Sequence, residues 1–567
     1  MFSGQTFGEF AFSEQEYTPP DSSAFQAFLD EITSPRCWLL EIDVLSLATS
    51  SAGSGAFSDG AFGEFAFGDG AAAVAGGITT LRFSTHGYTS QAADSPANTW
   101  YDGRLNDPVT ADRRITGKDG IGGLATVYAE LSLVNSDGAL DMLLANYAID
   151  GRAARVLIGR TTDPLSDYGL LFSGVVEKAP AIGADVVQFR LSDGQAKLKS
   201  AIINETTYLG TGALEGGADL KGKSKPIGYG HVFNISPPLV DSAKLIYQIH
   251  DGIISDVPYA WDRGITLTKG ADYGSIADLN ATAPSASNYR VCKDATGSYI
   301  RLGSTPSGTV TCDALLDASL SGYINTAADI ALRILVQQVG LVSTEIEPSS
   351  FVQLDADVTA EIGVWYGASI VSASQAIDEL LAGVGAFGGF NRQGAFSVGL
   401  ITAPSGVPVA SFSAEDIIEL TREPLPAPIE PAIWRASVAY QKNYTVQTDL
   451  AVAVTAAQRT FAAEKMRVSK SEDTAIQSRH LLAQQYSNDV GLYAALADSD
   501  AEALRLFNLW SPGRAMYRMK TRPKALTCDL GKTVEIQYPR HGFSTAKLAR
   551  VLAHTVRGSE VEMLVLC

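Results

Sequence analysis

The clearest pattern in the chain is an alternation of apolar and polar positions. Ala125, Val127, Ala129, Leu131 and Leu133 are interleaved with Thr126, Tyr128, Glu130 and Ser132. A period of two places one set on each face of a strand, so this segment predicts a half-buried strand. Val187, Phe189 and Leu191 repeat the pattern, and Trp38–Leu45 and Thr79–Ser84 read as further strands. Asn135-Ser136-Asp137-Gly138 has the composition of a turn, and Ala139–Tyr147 fits a short helix. Together these predict one β-barrel or sandwich over residues 36–210. Residues 211–315 are rich in Gly, Ser, Thr and Asp, with strand-like pieces such as Lys244–Ile249, and read as a small β-rich module.

The period then changes. Thr326 and Asp329 open a helix in the capping pattern, with Ile330, Ile334 and Leu335 on one side and Gly340 as its stop. Ser372 and Gln375 open another, with Ile377, Leu380 and Leu381 apolar, and a strand pair follows that turns at Asn391-Arg392-Gln393-Gly394. Residues 316–420 therefore predict a compact α+β domain. The last segment, 421–567, begins with a Pro-rich link at Pro424–Pro431 and the strand Ile433–Tyr440. A helical stretch is expected from about 455 to 487, and a helix capped by Ser499 and Glu502 that ends near Trp510. The strands Thr533–Tyr538, Ala549–Val556 and Val561–Leu566 close a second barrel-like domain with a helical insert. The expected fold class is α+β, mainly β, in several domains.

Residues 1–35 read as an N-terminal arm, and a Phe/Gly-rich insert lies near 50–75. FGEFAF occurs at Phe7–Phe12 and again at Phe62–Phe67. The alternating phenylalanines fit short hairpins that tuck into their own domain. The sharper reading is aromatic strands that dock on a neighbouring subunit.

Composition narrows the function classes. Of 567 residues, 46% are hydrophobic and 19% charged, which is globular and not disordered, and 53 glycines with 23 prolines suit many short strands and turns. A net charge of −19 repels phosphate backbones and argues against nucleic-acid binding. The five cysteines Cys37, Cys292, Cys312, Cys528 and Cys567 contain no CxxC pair, so reduced thiols are expected rather than a zinc or redox site. No basic residue precedes Arg36 and no apolar run approaches the ~20 residues that span a bilayer. The expected setting is the cytosol, or a particle assembled there.

Local motifs tempt but lack their context. Gly217-Ala218-Asp219-Leu220-Lys221-Gly222-Lys223-Ser224 matches the phosphate-loop pattern, which needs a strand before it and a helix after it. Here glycines precede it, and Pro226 and Gly228 follow. Gly383-Val384-Gly385-Ala386-Phe387-Gly388 matches GxGxxG but runs from a helix into a strand, the reverse of the dinucleotide order. Asp355-Ala356-Asp357 and Asp498-Ser499-Asp500 do not continue into a calcium loop. Neither HExxH nor GxSxG occurs around His86, His231, His250, His480, His541 or His554. Sequence nominates no catalytic, cofactor-binding or metal-ligating residue, and no cofactor.

Several segments, taken in order, resemble the tail hub family of long-tailed bacteriophages, prophages and gene transfer agents. They are Trp38–Leu45 leading to Gly77–Ser84; Tyr101-Asp102-Gly103-Arg104; Leu131–Leu140 followed by Asp150-Gly151-Arg152; Leu171–Glu177; and the Asn391–Leu400 hairpin. The series closes with Asp529-Leu530-Gly531-Lys532-Thr533-Val534 and Pro539-Arg540-His541-Gly542-Phe543. The resemblance implies a homotrimer whose two barrel-like domains form a pseudo-sixfold ring at the virion tail tip. It implies contacts to a distal tail or tube protein, the tape-measure protein, and spike or fibre proteins. In such a ring an acidic lumen would let DNA slide without sticking. Two other readings compete: a host-receptor or carbohydrate-binding tail protein, with exposed aromatics around a shallow polar groove, and a wall-degrading enzyme, with paired carboxylates or a metal in a cleft.

Overall fold

In the computed structural model, the residues described are 23–31, 36–47, 77–115, 122–320, 322–558 and 560–567. Both FGEFAF copies and most of the arm lie outside them. The alternating strands of the first third join through one ladder. Its order is Ile78–Ser84, Cys37–Ser46, Ala153–Gly159, Gly169–Val176, Val186–Ser192, Thr126–Val134 and Leu105–Arg114, each pair antiparallel. Register follows the apolar period: Leu133 faces Val187, Leu131 faces Phe189 and Ala129 faces Leu191, and all six are buried.

This ladder does not end at Leu105–Arg114. That strand pairs with Lys547–Arg557, Arg557 opposite Thr110 and Ala553 opposite Arg114. The path then continues through Glu560–Leu566, Met516–Thr521 and Ile417–Glu423, with Thr533–Ile536 on the side of Lys547–Arg557. The two ends of the chain thus share one open sheet, and its described strands do not close into a barrel. One hydrophobic core serves both halves. It holds Leu131 and Phe189 from the first, Val551, Val561 and Met563 from the second, and Phe25, Phe28 and Leu29 from the helix Ser23–Asp30.

Residues 227–316 form a sandwich of a four-stranded and a five-stranded sheet. Val232, Val257, Cys312 and Ala314 of one pack with Ile249, Val291 and Ile300 of the other. The strand Gly363–Tyr366 adds to the first sheet beside Ile227–Ile235 and so ties the sandwich to the α+β core. In that core, Thr326 caps the helix Ala327–Arg333 by accepting from the Asp329 N–H at 3.3 Å, and Ser372 and Gln375 form a reciprocal box at the start of Ala373–Gly383. Arg333 is fully buried. It donates to Asp317 at 2.7 Å and to the Ser319 carbonyl at 2.9 Å, which satisfies a charge that burial alone would not tolerate.

Two helix expectations fail. The stretch from 455 to 487 contains the helix Ala456–Ala463, the strand Arg467–Glu472, the short helix Ala475–Arg479 and the start of the strand Gln484–Tyr493. Ile433–Tyr440 pairs on both sides, with Arg467–Glu472 and Gln484–Tyr493, so ladder bonds outweigh local helix propensity. Ser499 and Glu502 do not cap their helix, which begins at Leu496 and runs to Trp510. Ser499 lies inside it, buried, donating to the Val438 carbonyl at 3.0 Å.

Candidate functional site

The polar groups gathered where the two ends of the chain meet form a largely buried cluster. Arg113 and His554 are brought together by the Leu105–Arg114 and Lys547–Arg557 pairing, although they stand 441 residues apart. Arg113 bonds the carboxylate of Asp529 and approaches His554 Nδ1 at 3.3 Å, while His554 Nε2 lies 2.8 Å from the Ala525 carbonyl. Arg392, in the hairpin turn of the α+β core, donates to the Leu170 carbonyl at 2.7 Å and sits 3.7 Å from Asp529. Burial opposes ionisation of Asp529, yet Arg113 and Arg392 hold its carboxyl below the usual range. Burial, reinforced by Arg113, pushes His554 down to about 3, so its ring is neutral at neutral pH. The cluster binds four stretches of chain together and leaves its imidazole no access to a substrate.

On the surface of the same junction is an open cavity of about 130 Å³, lined by Arg114, Glu423, Arg518, Thr555 and Glu562 among others. Arg518 is paired there with Glu423 at 3.1 Å and with Glu562 at 3.5 Å. Charges already paired on a sheet face suit contact with another polar surface better than chemistry.

The motif residues fall where their missing context placed them. Gly217–Ser224 is a run of turns entering the strand Ile227–Ile235, and Gly383–Gly388 runs from the end of Ala373–Gly383 into Ala386–Phe390. Asp355 and Asp357 lie in the last turn of Pro348–Asp357, and Asp498 and Asp500 at the start of Leu496–Trp510. Among the described residues no three His, Cys, Asp or Glu side chains are placed to hold a metal ion, and no described helix is long and apolar enough to cross a membrane. His250 is buried and accepts from the Gly228 N–H at 3.1 Å; burial pushes it down to about 4. His231 lies 3.4 Å from Glu361, which also accepts from the Tyr323 hydroxyl at 2.9 Å; the His231 bond leads in holding Glu361 down at about 2. His86 and His541 are exposed and His480 is half-buried. Four of the five cysteines, Cys37, Cys292, Cys312 and Cys528, are buried free thiols, and burial lifts Cys528 up to about 12.

Two features escaped the sequence. The Arg113–Asp529–His554 cluster joins segments with no local signal. The exposed ring of Tyr259 stacked against Trp261 was legible in part, because residues two apart on a strand share a face.

No family model matches the chain, and no curated protein does. Solved structures are similar to it at low identity. The tail protein from Neisseria meningitidis MC58 is 9% identical over 83% of this chain and 93% of its own, with a TM-score of 0.36. A chain in the virion of a native gene transfer agent particle is 14% identical over 61% of this chain and 84% of its own, with a TM-score of 0.40. The 43 kDa tail protein of prophage MuSo2 from Shewanella oneidensis is 8% identical over 83% of this chain and 96% of its own, with a TM-score of 0.33. These superpositions are loose, and what the chain is similar to in them is a set of tail and virion proteins.

Proposed function

We propose that this chain is a structural subunit of a phage-type tail tip, a hub joining the tail tube to a spike or fibres, and not an enzyme. The observation that carries the reading is the shared sheet. Several of the segments that resemble the hub family, Trp38–Leu45 with Gly77–Ser84, Leu131–Leu140 and Leu171–Glu177, supply strands of it, and Leu105–Arg114 and Lys547–Arg557 join its two halves. A single sheet that locks both ends of a chain suits a load-bearing part, and the paired charges over its junction suit contact with other subunits. Tail and virion components are also what the three similar structures are.

Within this reading the units are 36–210, 211–315, 316–420 and 421–567, and the assembly is a homotrimer with a distal tail or tube protein and the tape-measure protein as neighbours. The test is the mass in solution by light scattering, alone and with those proteins. A trimer, or a monomer that becomes threefold with them, is the expected result. A monomer indifferent to every tail protein overturns it.

A further inference from the structure

Away from the junction, one face of the sandwich carries a small built pocket. The excursion over residues 443–463 folds back across the sheet that contains Asp256–Asp262 and Val310–Leu316. It is anchored by Asn234 Nδ2 donating to Asn443 Oδ1 at 2.8 Å and by the Ala451 N–H donating to the Arg263 carbonyl at 3.0 Å. Between the excursion and the sheet lies a slot with about 40 Å³ of free space. Leu450, Val454 and Phe461 give it apolar walls, and Trp261, Thr311 and Gln447 complete it.

Two polar atoms on that lining have no partner although both are buried: Thr311 Oγ1, on a residue 1% exposed, and Gln447 Nε2. A buried donor left unpaired is destabilising, so two in one pocket mark a place for an acceptor. Beside the slot, Tyr259 is 56% exposed and its ring stacks on Trp261 with centroids 6.0 Å apart and planes 24° from parallel. Flat apolar faces next to convergent polar groups are the composition of a small-ligand site.

We propose that this pocket binds an N-acetylated sugar. The acetamido group has what the slot asks for: a methyl for the apolar walls and a carbonyl oxygen to accept from Gln447 and Thr311. A volume that holds roughly three water-sized groups takes that substituent and not a sugar ring. The ring itself lies outside, its C–H face on Tyr259 and Trp261. An extended peptide is the poorer occupant. At Trp261 and Asp262 both edges of the strand are taken, by Ile265–Thr266 and Val310–Leu316, so no backbone ladder can form there. A tail protein with such a site would touch amino-sugar polymers of a cell envelope. The site stands on its own geometry, and its failure leaves the mass measurement above unaffected.

The experiment is titration of the full chain with triacetylchitotriose and with cellotriose, followed by tryptophan fluorescence. Saturable binding of the acetylated trimer, at least tenfold tighter than cellotriose, is expected. Tyr259→Ala and Gln447→Leu should each lose tenfold or more without lowering the melting temperature, since Tyr259 is exposed and Gln447→Leu removes an unpaired buried donor. Equal affinity for both sugars, no binding of either, or full binding by Tyr259→Ala overturns the proposal. So does capture of an acetyl-lysine peptide with the sugars silent.

Discussion

Asp193 follows the strand Val186–Ser192 and is 2% exposed. One of its carboxylate oxygens accepts from the Gln195 N–H at 3.1 Å, and the other has no partner. Burial pushes it up to about 7, and Asp313, buried in the sandwich, up to about 6. An acid raised on folding binds its proton more tightly in the native state. Its stabilisation is therefore full below the unfolded value and is lost as pH rises through the folded one. His554 and His250, pushed down to about 3 and 4, act in the opposite direction: their contribution is present above about pH 6.5 and is lost as pH falls toward those values. The two pairs offset each other between pH 4 and 7. Asp193→Asn removes one of the two raised acids. We expect its stability relative to the parent to grow by about 2–4 kcal/mol between pH 5 and 8, measured by urea unfolding at each pH. An unchanged difference at the two pH values would show that Asp193 is not ionised by burial-limited titration.

Two serines near helix starts separate capping from packing. Ser372 is a true cap, its hydroxyl accepting from the Gln375 N–H at 3.2 Å. Ser372→Ala should cost about 1 kcal/mol, and Ser372→Asp should restore most of it, because a carboxylate at an N-cap accepts the same bond and favours the helix dipole. Ser499 looks alike in sequence but is a buried donor within its helix. Ser499→Asp places an acceptor-only, charged group where a donor is needed, beside the Val438 carbonyl, and should cost about 3 kcal/mol or more. Thermal or urea unfolding of the two Asp variants decides the matter. Similar stability for both would contradict the difference in their roles.

At the scale of the molecule the shared sheet makes the two ends of the chain depend on each other. Val551, Val556, Val561, Met563 and Val565 are buried in the same core as Leu131 and Phe189. Removing them takes away roughly 10 kcal/mol of apolar burial at about 2 kcal/mol per side chain, comparable with the whole stability of an ordinary domain. A chain truncated after residue 546 should therefore expose residues 36–210 to limited proteolysis, although none of them is deleted. Protection of that region at the level of the full chain would mean that the first half folds by itself.

What the sequence determined is what local periodicity encodes. The strand Ile433–Tyr440 appears with the limits read for it, Thr126–Val134 and Val186–Ser192 within a residue or so, and the Ser372–Gln375 box as expected. A period of two or a cap needs only neighbours a few residues apart, so those signals survive in one dimension. It also showed that the phosphate-loop and GxGxxG matches lacked their flanking elements. The tertiary structure alone decided the rest. Val468 and its neighbours became a strand because Ile433–Tyr440 offered a ladder, and Ser499 became a buried donor because Val438 lay beneath its helix. The pairing of Thr110 with Arg557, the cluster of Arg113, Asp529 and His554, and the slot between Trp261 and the 443–463 excursion all join residues far apart in the chain. Such contacts are selected by the collective fit of sheets and cores, and no short stretch of sequence carries them.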